Sequence, residues 1–192
     1  MSELRPVSEV YIPPKPQRIV DVPLSSHYNG WRYSLAEIVD NEGSSTPEGG
    51  NTVVFRIPRG TITEPVFVTK RQAEATFTVT TLSGVGKLIR ANAAGDVEHS
   101  VMRPGVQVVI RPGNAYAYHN DGVEDLVLYD TAVPAYEEGD DAQLYLLPSQ
   151  RLEQREGFTA CQITDAAGEF STVYVPQQFT DLVAQAMRFP DA

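Results

Sequence analysis

Apolar and polar residues alternate with a period of two along most of this chain. The clearest case is Ala73 to Leu82, where Ala75, Phe77, Val79 and Thr81 share one face and Thr76, Thr78 and Thr80 the other. That spacing is the signature of a half-buried strand. A second case is GVQVVIRPGNAYAYHN, Gly105 to Asn120. Val106 to Ile110 is an apolar, β-branched run, and Arg111-Pro112-Gly113-Asn114 is strong turn punctuation. Ala115 to His119 then places Tyr116 and Tyr118 on one face and Ala115, Ala117 and His119 on the other. Regular alternation sends His119 outward.

Further strands are expected at Trp31 to Val39, Thr52 to Ile57, Pro65 to Thr69, Lys87 to Arg90, Val97 to Met102, Leu126 to Val133, Phe158 to Ile163 and Ser171 to Val175. Asn41 to Asn51 is a Gly/Ser/Pro-rich loop, and Glu137 to Asp141 (EEGDD) reads as a solvated acidic loop. Gln143 to Arg155 fits either a strand or a helix. The prolines of Met1 to Leu24 exclude a helix and leave an arm that lies on the barrel or on a partner. Thr180 to Arg188 has helical spacing, with Thr180 as N-cap, Asp181 in the first turn, and Leu182, Val183, Ala186 and Met187 on one face. Many short strands with Gly/Pro turns and a single helix predict an all-β barrel or sandwich. The expected organisation is an arm over 1–24, a β-barrel over 25–176 and a C-terminal helical segment over 177–192.

Composition narrows the function classes. With 192 residues and 42% hydrophobic content, the chain can bury a full core. Its net charge of -10 and lack of a basic cluster disfavour nucleic acid as a partner. One cysteine, Cys161, excludes an internal disulfide framework and reads as a small buried apolar residue. No apolar run is long enough to span a membrane, and the N-terminal segment has no secretory pattern. A soluble, cytoplasmic protein is the expectation.

From roughly Pro65 to Pro134 the chain resembles the cupin superfamily. The family's second motif runs Gly, five residues, Pro, one, Gly, two, His, three, Asn. Gly105, Arg111, Gly113, Tyr116 and Asn120 occupy those positions. The proline is displaced by one to Pro112, and Tyr116 stands where the family carries a metal-binding His. Counting back from Gly84, the first motif's ligand positions fall on Arg71, Ala73 and Phe77. Arg holds a fixed positive charge, and Ala and Phe offer no lone pair. The resemblance therefore implies a cupin-like double-stranded β-helix, or jelly roll, without the usual metal ligands. It also implies a homodimer.

Arg71 and Tyr116 form the candidate catalytic pair. If both enter the barrel, Arg71 can hold an anionic group and favour the phenolate, with Tyr116 as general acid or base. The opposing reading is a rim arginine and packed core rings. Tyr118, Asn120, Thr69, Phe77 and Trp31 are the candidate ligand contacts, with core the favoured reading of Phe77 and Trp31 because aromatic residues dominate cores. His27, His99 and His119 form no recognisable ligand set, so no metal and no cofactor is expected. The function this implies is small-molecule binding by a metal-independent cupin, as an isomerase, epimerase, cyclase or lyase acting on a small polar or anionic substrate. The alternative is a non-catalytic ligand-binding or structural module.

Overall fold

The computed structural model describes residues 25–26, 32–37, 51–69, 76–133, 140–146, 155–164 and 168–188. Trp31, His27, Arg71, the segment over 1–24, most of the acidic loop and most of the ambiguous stretch lie outside them.

Two antiparallel sheets face one another. The first runs in the order β1 (Ser25–Ser26), β2 (Arg32–Glu37), β3 (Asn51–Ile57), β11 (Leu126–Val133), β6 (Thr76–Ser83) and β9 (Gln107–Ile110). The second runs β12 (Asp141–Gln143), β5 (Val66–Val68), β10 (Ala115–Asn120), β7 (Gly86–Ala91) and β8 (Val97–Met102), with β4 (Thr61–Ile62) also pairing β10. Strands adjacent in sequence switch between sheets, as β9 and β10 do across the Arg111–Asn114 turn. This is jelly-roll architecture.

Alternation decides what fills the space between the sheets. Phe77 and Val79 of β6, Leu126 and Leu128 of β11, Leu88 of β7, Met102 of β8 and Ile110 of β9 form one buried cluster there, joined by Tyr116 and Tyr118. The expected faces of β6 and β10 are therefore the observed ones.

The opposite face of the second sheet is not solvent. A third sheet, β13 (Tyr145–Leu146), β14 (Phe158–Thr164) and β15 (Phe170–Pro176), and a helix α1 (Gln177–Arg188) supply a second cluster. Ala115, Ala117, Ile89 and Ile62 pack there with Cys161, Ile163, Val175, Phe179 and Val183. This layer corrects two expectations. His119 does lie on the alanine face, but at 6% exposure it is buried. Asp140, expected in a solvated loop, is buried, and its carbonyl accepts bonds from the Thr69 N–H (3.0 Å) and Oγ1 (3.2 Å).

The helix also begins earlier than its pattern suggests. Pro176 ends β15, and the Gln177 N–H donates to the Gly157 carbonyl at 2.9 Å, which anchors the first turn. Thr180 is thus inside the helix rather than at its cap, and its hydroxyl donates back to the Gln177 carbonyl at 2.9 Å. Starting at Gln177 brings Phe179 onto the buried face beside Val183 and Ala186 and leaves Met187 exposed.

Turn chemistry holds the β9–β10 junction. Gly113 sits at φ +83°, after Pro112, as a turn with proline then a left-handed residue requires. Its N–H donates to the Val68 carbonyl at 2.8 Å. At the other end of β10, Asn120 is fully buried, and its amide donates to the Ile57 carbonyl (2.8 Å) and the Glu124 carbonyl (2.9 Å) while its Oδ1 accepts the Gly122 N–H (3.1 Å). Gly122 leaves no room for a side chain, since a Cβ there would lie 2.2 Å from the Val85 carbonyl oxygen.

Replacing Asn120 by Ala strands the buried Ile57 carbonyl, the part-buried Glu124 carbonyl and the Gly122 N–H. A destabilisation of about 3 kcal/mol follows, each orphaned group costing roughly 1–3 kcal/mol. Urea unfolding measures it, and a loss within error of zero would show that the brace carries no stability.

Candidate functional site

The polar groups of the barrel interior come from β6, β10, β11 and the edge strand β12; on β6, Thr81 is buried and its Oγ1 has no hydrogen-bond partner among the described residues. Tyr116 and Tyr118 project inward from β10 and meet edge to face, with ring centroids 5.5 Å apart. Phe55 of β3, the cross-strand neighbour of Leu128, lies against Tyr118 at 6.0 Å. Tyr118 is 2% exposed, and its hydroxyl has no hydrogen-bond partner among the described residues.

Asp130 is the residue that sequence reading missed. It lies on β11 at the same parity as Leu126, Leu128 and Ala132, directly across from Val79 of β6. All four of these neighbours belong to the interior cluster. Asp130 is 6% exposed, and its Oδ1 has no partner among the described residues. Burial pushes its carboxyl up to about 7, and the charge of Asp141 adds to the shift. Asp141 sits across from Val68 at the sheet edge and is half-buried. The Tyr118 hydroxyl is held well above the ordinary tyrosine range by burial first, then by the charges of Asp130 and Asp141. These three groups therefore share one electrostatic neighbourhood. The signal in the sequence was a lone acid within LVLYDTAV, at the parity of its large aliphatic residues.

The described cation nearest Tyr116 along the sheet is Arg90, its cross-strand partner on β7. Its guanidinium is committed: it pairs with Glu98 of β8 and donates to the Val109 carbonyl of β9 at 2.6 Å. Arg90 thus ties the two sheets together at their β8–β9 margin. Arg71, expected opposite Tyr116, lies outside the described residues, as does Trp31.

The other expected contacts divide by role. Phe77 lies in the interior cluster among aliphatic residues. Thr69 is half-buried, with its hydroxyl on the Asp140 carbonyl. Both amide hydrogens of Asn120 go to backbone carbonyls, so its observed role is to brace the hairpin. His99 on β8 is exposed and His119 on β10 is buried; register puts both on the outer face of the second sheet, but β7 lies between their strands and His99 lines up with Ala117, two residues from His119, so the structure does not bring these two together. Among the described residues no group of three His, Cys, Asp or Glu side chains converges. Cys161 is buried, which raises its thiol to about 11. A thiol held protonated in an apolar layer packs rather than attacks.

No family model matches the sequence, and no curated protein does. Solved structures do. Oxalate decarboxylase from Lactobacillus farciminis, in a formate complex, superposes with a TM-score of 0.51 at 14% identity, over 64% of this chain and 33% of that one. The fold is that of the cupins. Oxalate oxidase in complex with the substrate analogue glycolate gives 0.46 at 17% identity, over 56% of this chain and 53% of that one. Vicilin from Corylus avellana, hazelnut, gives 0.46 at 18% identity, over 58% and 32%. The chain thus spans about a third to a half of the length of these proteins. No described helix is long and apolar enough to cross a membrane.

The Asp130 carboxyl has a consequence for stability. Between about 3.8 and about 7 the folded protein keeps a proton that the unfolded chain has released. The native state then binds more protons, so this group's contribution falls as pH rises through that window and is flat above it. The stability difference between Asp130→Asn and the wild type should therefore grow in the variant's favour across the window, by a few kcal/mol at most. Urea midpoints at a series of pH values measure it, and parallel profiles would show that the carboxyl is not held protonated by burial.

Proposed function

We propose that this protein is a small-molecule-binding cupin whose barrel interior holds a polar organic ligand against Tyr118 and Asp130. One observation carries the reading. A hydroxyl and a carboxylate oxygen, both buried and without protein partners, share one interior neighbourhood. Leaving such groups unsatisfied costs on the order of 1–3 kcal/mol each, and more for a charge. A ligand that bonds to both recovers that cost.

Chemistry is available at the same place. A carboxyl that titrates near 7 is suited to take and return a proton at neutral pH. The tyrosine hydroxyls can orient a substrate or supply a proton. This fits proton-transfer reactions of the isomerase, epimerase, cyclase or lyase type, without a metal. Metal independence is supported by the residues at the family's ligand positions: Phe77 and Tyr116 face the interior, and Phe77 has no donor atom. Cytoplasmic location and a homodimer remain part of the proposal.

A second reading rests on packing. Ile57, Val79, Leu88, Met102, Ile110, Leu126 and Leu128 are fully buried around the tyrosines. A barrel filled in this way suits a structural or assembly module, and proteins of this fold include storage proteins as well as enzymes.

Screening a library of small polar metabolites by thermal shift separates the two. The binding reading expects hits whose stabilisation drops in Tyr118→Phe, with Tyr118→Phe itself folded and no less stable than the wild type. No hit across the library would favour the filled barrel. For any hit that is turned over, Tyr116→Phe should lower kcat while leaving binding within about tenfold, since a lone hydroxyl contact is worth about 0.5–1.5 kcal/mol.

A further inference from the structure

We infer that two copies of this chain pair along the free edge of β15, so that their third sheets join into one continuous sheet. The inference rests on the homodimer proposed above and gives it an interface. A strand at a sheet edge leaves a row of unpaired N–H and C=O groups, and proteins blunt such edges with short strands, charges or caps. The other edges among the described residues are blunted. β1, β12 and β13 have two or three residues. β8 carries Glu98 and His99, both exposed. On β9 the Val109 carbonyl is taken by Arg90. β15 has none of these guards. It runs seven residues without a charge and, among the described residues, pairs with β14 alone. Phe170, Ser171 and Thr172 are exposed, Phe170 at 68%.

The free main-chain groups set the register. The Gln177 N–H bonds the Gly157 carbonyl, and the ladder that follows pairs Pro176 with Phe158. Hydrogen-bonded pairs alternate along an antiparallel ladder. Ser171, Val173 and Val175 therefore turn their main-chain groups to β14, and Phe170, Thr172 and Tyr174 turn theirs to the free edge. A two-fold axis at Thr172 sets threonine opposite threonine and Phe170 of each copy opposite Tyr174 of the other. Aromatic and Thr–Thr cross-strand pairs are favourable ones. About six main-chain hydrogen bonds form in this register. The side chains agree with it. Val173 and Val175 pack inward on the second cluster, whereas Tyr174 points to the opposite face, under the Arg155 guanidinium at 3.9 Å. An axis at Tyr174 instead would set Thr172 opposite Pro176, which has no N–H to give.

Sedimentation equilibrium of the full chain over a concentration series tests this. The expected result is a reversible dimer whose dissociation constant rises about tenfold or more in Phe170→Lys, which puts a charge on the edge, and in Thr172→Pro, which removes the central N–H. Both changes fall on exposed side chains, so circular dichroism should match the wild type. Mild oxidation of Thr172→Cys should give a cross-linked dimer. Residues opposite one another in a hydrogen-bonded pair have Cα atoms about 5.5 Å apart, within disulfide reach. Phe170→Cys should not cross-link, since its two copies lie about 13 Å apart along the strands. The native Cys161 is buried and stays out of the reaction. A monomer at every concentration overturns the interface together with the homodimer. A dimer unchanged in Phe170→Lys and Thr172→Pro, without a cross-link in Thr172→Cys, overturns the interface and leaves a homodimer formed elsewhere. Cross-linking of Phe170→Cys in preference to Thr172→Cys overturns the register and with it the proposal.

Discussion

Everything in this structure hangs on one strand with both faces buried. All six residues of Ala115–Asn120 are withdrawn from solvent. On one side Tyr116 and Tyr118 enter the barrel; on the other Ala115, Ala117 and His119 support the outer layer of α1 and the third sheet. The alternation of large rings and small methyls follows from this. The barrel side has space for rings to fill, while the outer side must let a helix bearing Phe179 and Val183 approach closely. A strand so enclosed cannot shift register by one residue without driving rings into the helix layer and alanines into the barrel. Asn120 and the Pro112-Gly113 turn pin its two ends, so the barrel core, the outer layer and the candidate site share a single reference frame.

The interior is not uniformly apolar. An aliphatic core of this size would be served by leucine at position 130 as well as at 126 and 128. Instead it carries a carboxyl without a partner for Oδ1, near a tyrosine hydroxyl in the same condition. Burying such groups is unfavourable unless something bonds to them. Their shared setting is also what couples them, since each raises the cost of charging the other. Tyr116 stands beside Tyr118 on the same inner face, with the two rings edge to face.

The site was only half legible. Tyr116 and Tyr118 could be assigned to one inner face because β10 alternates and the turn before it is marked by proline and glycine. Phe77 followed from the same logic on β6. Asp130 had the right parity too, but a single acid in a strand reads as an outward residue unless both neighbouring strands are known. Arg90 was hidden for a related reason: its pairing with Tyr116 and Glu98 is a matter of cross-strand register, which a local pattern does not contain. His119 was placed on its correct face and assigned the wrong surroundings.

By itself, the sequence determined the period of each strand, the positions of the turns and hence which side chains share a face, because these depend on neighbours a few residues away. It also marked a cupin-like frame in the spacing of Gly105, Gly113 and Asn120. Only the tertiary structure decided what each face meets. The outer layer that buries His119 and the earlier start of α1 at Gln177 depend on contacts between segments far apart in the chain. So does the electrostatic influence of Asp130 on Tyr118 across two facing sheets. Such contacts are set by how apolar faces are matched to one another, and no local pattern records that choice.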